Sequence, residues 1–264
     1  MRIFRFLMVL LAGLAFAGFP AVVGAGEKIG VVLMHGKGRT AGEKSPIGKL
    51  AYALEVADFI VVAPDMPWSR SRGFDRTYAE SMAEIDKAVA KLKDKGATKI
   101  VVGGHSIGAN AALGYGARRE GLAGILAIAP GHTIDGDGFH KLVDFDYRRA
   151  KEMVAASKGE EETGFKDVNQ GRKSTKTMKA KVYLSWFDPE GPAPMPKNTA
   201  NLKPGTPLMW IIGEKDRLMM ERGKEYAYAK APAHDMSAYV VVKGVHGATP
   251  MKGKKEIIDW LKGL

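Results

Sequence analysis

The 264-residue chain contains no cysteine. Disulfides are excluded in any compartment, and with them thiolate metal sites and cysteine nucleophiles. Covalent chemistry falls to Ser, Thr, Lys or a carboxylate. Metal-ligand spacings are missing as well. There is no HExxH, and Asp135-Gly136-Asp137-Gly138 lacks the fifth-position ligand and distal Glu of a calcium loop, so it reads as a turn. No G-x-G-x-x-G follows the first apolar run, which argues against a dinucleotide site. Neither a cofactor nor a metal is expected. Lys and Arg total 40 against 29 acids, yet no basic run is interleaved with aromatics, so nucleic acid is not an expected partner. Repeats and low-complexity tails are absent. With 45% hydrophobic and 26% charged residues, the chain has the composition of one α/β domain with a buried core.

Residues 1–25 stand apart. Arg2 and Arg5 precede an uncharged apolar stretch over 6–19, followed by Pro20 and the small residues Val23-Gly24-Ala25. That order is the order of a secretory leader. A membrane anchor is the rival reading, because no further charge occurs before Glu27, but the apolar run is short for a bilayer and Pro20 interrupts it. The expectation is a signal peptide cleaved near Ala25 and a periplasmic or secreted protein. Cleavage removes two arginines and no acid, taking the net charge from +11 to +9. Such a charge suits peripheral contact with an anionic envelope surface, although many exported proteins are simply basic.

After the leader, continuous apolar runs at 28–34, 59–63, 100–102, 124–129, 207–212 and 238–242 read as buried strands. Ser45-Pro46 offers an N-cap and first helical position. Tyr78, Met82, Ile85, Val89 and Leu92 recur at helical spacing within 75–95, and 254–262 reads as a closing helix. Strands alternating with helical patterns predict an α/β fold, a mostly parallel six-strand sheet with helices on both faces. The domain spans 26–264. One stretch breaks the rhythm: 131–206 is rich in charge, poor in apolar repeats and Pro-rich near its end. It is expected to be a lid-like insertion over the carboxyl ends of the strands, where open α/β sheets bind ligands.

The strand at 100–102 runs into Gly104-His105-Ser106-Ile107-Gly108, a G-x-S-x-G pentapeptide followed by small helical residues. A strand, a very tight turn and a helix would hold Ser106 exposed, with glycines where a β-carbon would collide. A hydroxyl needs a base to take its proton, and the base needs an orienting acid. Asp216 follows the strand at 207–212 and His246 the strand at 238–242, giving the chain order Ser…Asp…His. Rivals are Glu214 and Asp135 for the acid and His132 for the base. His105 reads as a packing or hydrogen-bonding residue, and His140 and His234 lack a motif. For an oxyanion, the donors are the backbone N–H of Ile107 and those of Gly36 and Lys37 in His35-Gly36-Lys37-Gly38.

With HGKG after the first strand, GHSIG at the turn, GEKD and VHG, the chain resembles the α/β-hydrolase superfamily from Gly30 to Leu264, most of 131–206 excepted. The stretch VVAPDMPWSRSRGF resembles the family's post-strand loop, with Trp68, Ser69 and Arg70 where glycines are common. The family's N-terminal hairpin is missing, so a compact form is expected. Dienelactone-hydrolase relatives use a cysteine where this chain has Ser106. The resemblance implies a serine hydrolase of esters, thioesters or amides, most simply a carboxylesterase acting through Ser106, His246 and Asp216 on a small-molecule acyl substrate. An acyltransferase or thioesterase on the same triad and a non-catalytic envelope-binding protein are the alternatives. Trp68, Arg70, His132 and Trp186 are expected to line the substrate pocket. Arg72 and Lys37 are further candidates for an anionic group, and Phe187 and Met195 for an apolar wall.

Overall fold

Along the first strand, Val31 and Leu33 project to one face while Val32 and Met34 project to the other, and all four are buried. That two-sided burial is what a continuous apolar run encodes, since successive strand side chains point in opposite directions. The computed structural model describes residues 26–264. The leader expected at 1–25 lies outside the described residues.

Strand β1 (Ile29–Met34) leads through α1 (Pro46–Val56) to β2 (Ile60–Val62), then to α2 (Tyr78–Asp94), β3 (Lys99–Ser106), α3 (Ile107–Gly116) and β4 (Gly124–Pro130). Next come α4 (Asp137–Ala155), the strands β5 (Glu162–Asn169) and β6 (Arg172–Lys179), and the helices α5 (Ala180–Phe187) and α6 (Met195–Ala200). The chain closes with β7 (Leu208–Gly213), α7 (Arg217–Arg222), β8 (Ala238–Val242), α8 (Thr249–Lys252) and α9 (Lys254–Gly263). The six expected strands form one sheet in the order β2-β1-β3-β4-β7-β8, every pair parallel.

Leu50, Leu54, Ile257, Trp260 and Leu261 bring α1 and α9 onto one face, while α2 and α3 cover the other with Tyr78, Ile85, Leu92 and Leu113. Helix starts follow local chemistry. Ser45 Oγ accepts the Gly48 N–H at 2.9 Å ahead of Pro46. A reciprocal capping box of Thr77 and Glu80 starts α2 at Tyr78, the first residue of its apolar periodicity and three residues inside the expected 75–95.

The insertion is more regular than its sequence suggests. It contains the 19-residue α4 and an antiparallel hairpin registered from Glu162 opposite Lys179 to Asn169 opposite Arg172. Gln170 and Gly171 turn the hairpin with φ of 50° and 77°, the two positive values that a two-residue β-turn requires. Trp186 of α5 seats the insertion on the main domain, with its ring 5.4 Å from Trp68, 5.6 Å from Phe74 and 4.7 Å from Tyr78.

Candidate active site

At the end of β3 the backbone doubles back into α3 through Ser106, whose φ of 60° and ψ of −119° lie where L-residues rarely go. The flanking glycines make that turn fit. A β-carbon on Gly104 would lie 2.7 Å from the Met34 carbonyl oxygen, and one on Gly108 2.8 Å from those of His35 and Met34. Backbone cannot retreat as a side chain can, so both positions need glycine. Because α3 starts at Ile107, directly after Ser106, its first N–H groups have no intrahelical partner.

Asp216 and His246 arrive from β7 and β8. Asp216 is buried, and its two oxygens do different work: Oδ1 caps α7 by accepting the Leu218 N–H at 2.9 Å, while Oδ2 lies 2.6 Å from His246 Nδ1. Cap and orienting acid are thus the same residue. With Nδ1–H donated to the carboxylate, His246 Nε2 keeps a lone pair. A methyl built on Gly131 would lie 2.8 Å from Ser106 Oγ and 3.6 Å from His246 Cε1, so hydroxyl and ring flank one point. His105 Nε2 donates to the His246 carbonyl at 3.0 Å, tying the nucleophile turn to the histidine loop. Burial, helped by the nearby His246, lowers the His105 pKa to about 3, so this ring is neutral.

Neither rival acid reaches this place. Glu214 is exposed, and Asp135 accepts the Tyr226 hydroxyl at 2.5 Å.

The loop after β1 is held from several sides. His35 Nδ1 donates to the Gly36 carbonyl at 2.9 Å, and its Nε2 accepts the Met66 N–H at 3.0 Å. Burial lowers the His35 pKa and keeps this ring neutral. Trp68 Nε1 donates to the His35 carbonyl at 2.8 Å. With the Gly36 carbonyl turned toward His35 and Arg39, the Lys37 N–H of the same trans peptide points the opposite way. Gly36 packs against Ser106, its β-carbon position 3.3 Å from Ser106 Cβ.

Two cavities open on Ser106. One, of about 260 Å³, is walled by Ile107, His132, Phe139, Leu142 and Val168. The other, of about 300 Å³, is walled by Gly36, Arg39, Ile47, His105 and His246. Lys37, Ser106, Asn169 and Gln170 belong to both, so the hairpin tip stands over the serine and parts the two spaces.

Of the residues expected to line a pocket, His132 does. Trp68 and Trp186 are fully buried scaffold residues instead; Trp186 Nε1 donates to the Arg76 carbonyl and its ring lies behind His132. Arg70 is exposed and borders a separate recess that does not include Ser106. Arg72 is consumed by Asp75 and Glu84. Phe187 and Met195 are buried in the core shared with the main domain. Gly131, the hairpin tip and Asp167 were not legible as site residues. Gly131 directly follows a strand end, which is the one local signal it offers.

A family model described as serine aminopeptidase, S33, matches residues 27–249. The chain belongs to this family. It is thereby an α/β-hydrolase, and solved structures agree on the fold. The monoacylglycerol lipase of Paleococcus ferrophilus is 21% identical with a TM-score of 0.66, over 89% of this chain and 94% of that one. An esterase of Pyrococcus furiosus is 18% identical with a TM-score of 0.57, over 90% and 83%. Est1E from Butyrivibrio proteoclasticus is 16% identical with a TM-score of 0.55, over 91% and 88%. No curated protein matches the chain. Within the S33 α/β-hydrolase fold, the elbow serine, the acid after β7 and the histidine after β8 all lie at the carboxyl edge of the sheet.

Proposed function

We propose that this S33-family protein is an exported serine hydrolase of carboxylic esters. The observation that carries the reading is the 2.6 Å bond from His246 Nδ1 to the buried Asp216, made by a ring that shares one point with Ser106 Oγ. In this reading Ser106 attacks the carbonyl as His246 Nε2 takes its proton, and Asp216 stabilises the imidazolium. The N–H groups of Ile107 and Lys37 receive the oxyanion. His246 then protonates the departing alcohol, and water releases the acyl group by the same steps in reverse. Export rests on the leader pattern of residues 1–25.

The cavities favour small esters over peptides. An aminopeptidase needs a free carboxylate for the substrate ammonium. The second cavity has no acid in its lining, and of the two in the first, Asp216 is held by His246 and Glu221 is paired with Arg217, each at 2.6 Å. Volumes of about 260 and 300 Å³ sit at the low end for ligand pockets, which favours short acyl and alcohol groups.

The test is labelling by a fluorophosphonate and turnover of graded p-nitrophenyl esters. The reading requires labelling that Ser106→Ala abolishes, with activity highest on short chains. Folded protein that takes no label overturns it.

A further inference from the structure

Lys37, His132 and Asp167 come from three separate stretches and meet beneath the hairpin. Lys37 Nζ lies 2.6 Å from Asp167 Oδ1, with side chains only 6% and 1% exposed. The same ammonium stands 3.5 Å from His132 Nδ1 and 5.8 and 5.5 Å from the ring centroids of Phe74 and Phe187. His132 Nε2 is 2.8 Å from the Trp186 carbonyl, which can only accept. Nε2 therefore carries the proton, and Nδ1 offers Lys37 a lone pair. Burial and the Lys37 charge lower the His132 pKa to about 3 and leave the ring neutral. Burial alone would raise the Asp167 carboxyl, but the charge and hydrogen bond of Lys37 outweigh it and hold the group below the usual carboxylate range.

Stability is a poor account of this arrangement. Burying two charges costs several kcal/mol each, and attraction offsets that only when every lone pair is satisfied. Here Asp167 Oδ2 is buried with no hydrogen-bond partner among the described residues. A packed apolar pair would hold the fold as well. What apolar side chains would not supply is a fixed connection between particular atoms. At one end is Lys37, which lines both cavities together with Ser106. At the other is Asp167, two residues before Asn169 at the hairpin tip over the serine. His132 directly follows Gly131, whose N–H donates to the Ser106 carbonyl at 3.1 Å and whose β-carbon position lies 2.8 Å from Ser106 Oγ.

We propose that Asp167 is a positioning residue: through the Lys37 ammonium it fixes the Lys37 N–H at the oxyanion and seats the hairpin tip over Ser106. Docking of the hairpin and completion of the oxyanion hole are then a single event. The inference rests on the serine-hydrolase reading above.

The test measures kcat, KM and Tm for the mature wild type, Asp167→Asn, and the charge-free double variant Lys37→Met with Asp167→Asn, using p-nitrophenyl acetate. Asp167→Asn is expected to lower kcat by about 10- to 100-fold with KM held within about threefold, a loss confined to the transition state. The double variant, with no charge left buried alone, is expected to regain wild-type Tm while kcat stays low. Wild-type kcat in folded Asp167→Asn overturns the inference, as does a double variant that regains kcat along with Tm. If Asp167→Asn fails to fold, the double variant alone decides between the two accounts. An active wild type labelled at Ser106 with an indifferent Asp167 overturns this inference only. A wild type with neither turnover nor label overturns the serine-hydrolase reading and this inference with it.

Discussion

Replacing Gly131 by alanine would place a methyl 2.8 Å from Ser106 Oγ, whereas ordinary van der Waals contact begins near 3.4 Å. The hydroxyl must then retreat by about 0.6 Å or swing to another χ1 well, at a cost of about 0.5–1.5 kcal/mol. Nothing else resists the methyl: Ser106 Cα and His246 Cε1 would lie at 3.5 and 3.6 Å, and Gly131 has no positive φ. Alanine also narrows the unfolded ensemble, a gain of about 0.4–1 kcal/mol that offsets most of the rotamer strain. Stability should therefore barely change. Catalysis should suffer, because a displaced nucleophile leaves the line between His246 and the carbonyl, and misplacement on this scale costs about 10²-fold in rate. The assay pairs kcat on p-nitrophenyl acetate with a thermal melt. A Gly131→Ala protein with native Tm and native kcat would refute the placement of Ser106 Oγ and His246 at this point.

The cap and the orienting acid can be separated. Asp216→Asn keeps a side-chain oxygen for the Leu218 N–H but removes the charge facing His246, so kcat should fall by about 10³–10⁴-fold with little change in stability. Asp216→Ala should lose about 1 kcal/mol more in urea denaturation, the worth of an N-cap. Gly108→Ala forces a methyl against fixed backbone oxygens at 2.8 Å and should cost about 1–3 kcal/mol in the same assay. Buried neutral histidines make the fold acid-sensitive. Burial pushes His105 and His132 down to about 3 when folded, against 6.5 for a free imidazole, so the unfolded chain binds more protons between those values. Their contribution is complete above pH 6.5 and is lost on acidification toward 3, each by up to about 1.4 kcal/mol per pH unit. Tm measured from pH 7 to 4 should fall, and a Tm that rises toward pH 4 would contradict the neutral assignment.

The main sheet was legible because its central strands are buried on both faces and so read as unbroken apolar runs, as in Val31–Leu33 or Gly124–Pro130, and its edge strands are apolar too, although β8 is part-exposed. Ser106, Asp216 and His246 were legible as candidates because each follows such a run directly. The hairpin was not. Residues Glu162–Asn169 and Arg172–Lys179 are mostly charged or polar, and of the residues the hairpin turns inward one, Asp167, is itself an acid. Its inward alternation of Phe165, Asp167 and Met178 has meaning only once Lys37 is known to wait opposite. Helix α4 hides for a related reason: its buried stripe is Val143, Asp146 and Ala150, with a carboxylate in the middle that accepts the Lys166 N–H and pairs with Arg149. Trp68 and Trp186 mislead in the other direction. Aromatics beside a motif suggest a pocket wall, but these two spend their indole N–H groups on backbone carbonyls and their faces on the core.

The most direct test of the central claim is chemical. Mature protein quenched during turnover of p-nitrophenyl acetate should carry one acetyl group on the peptide that contains Ser106, and His246→Ala, which lacks the base for the attack, should accumulate no adduct on the same timescale. Turnover with no adduct at Ser106, or with the acetyl group on another residue, would contradict the account.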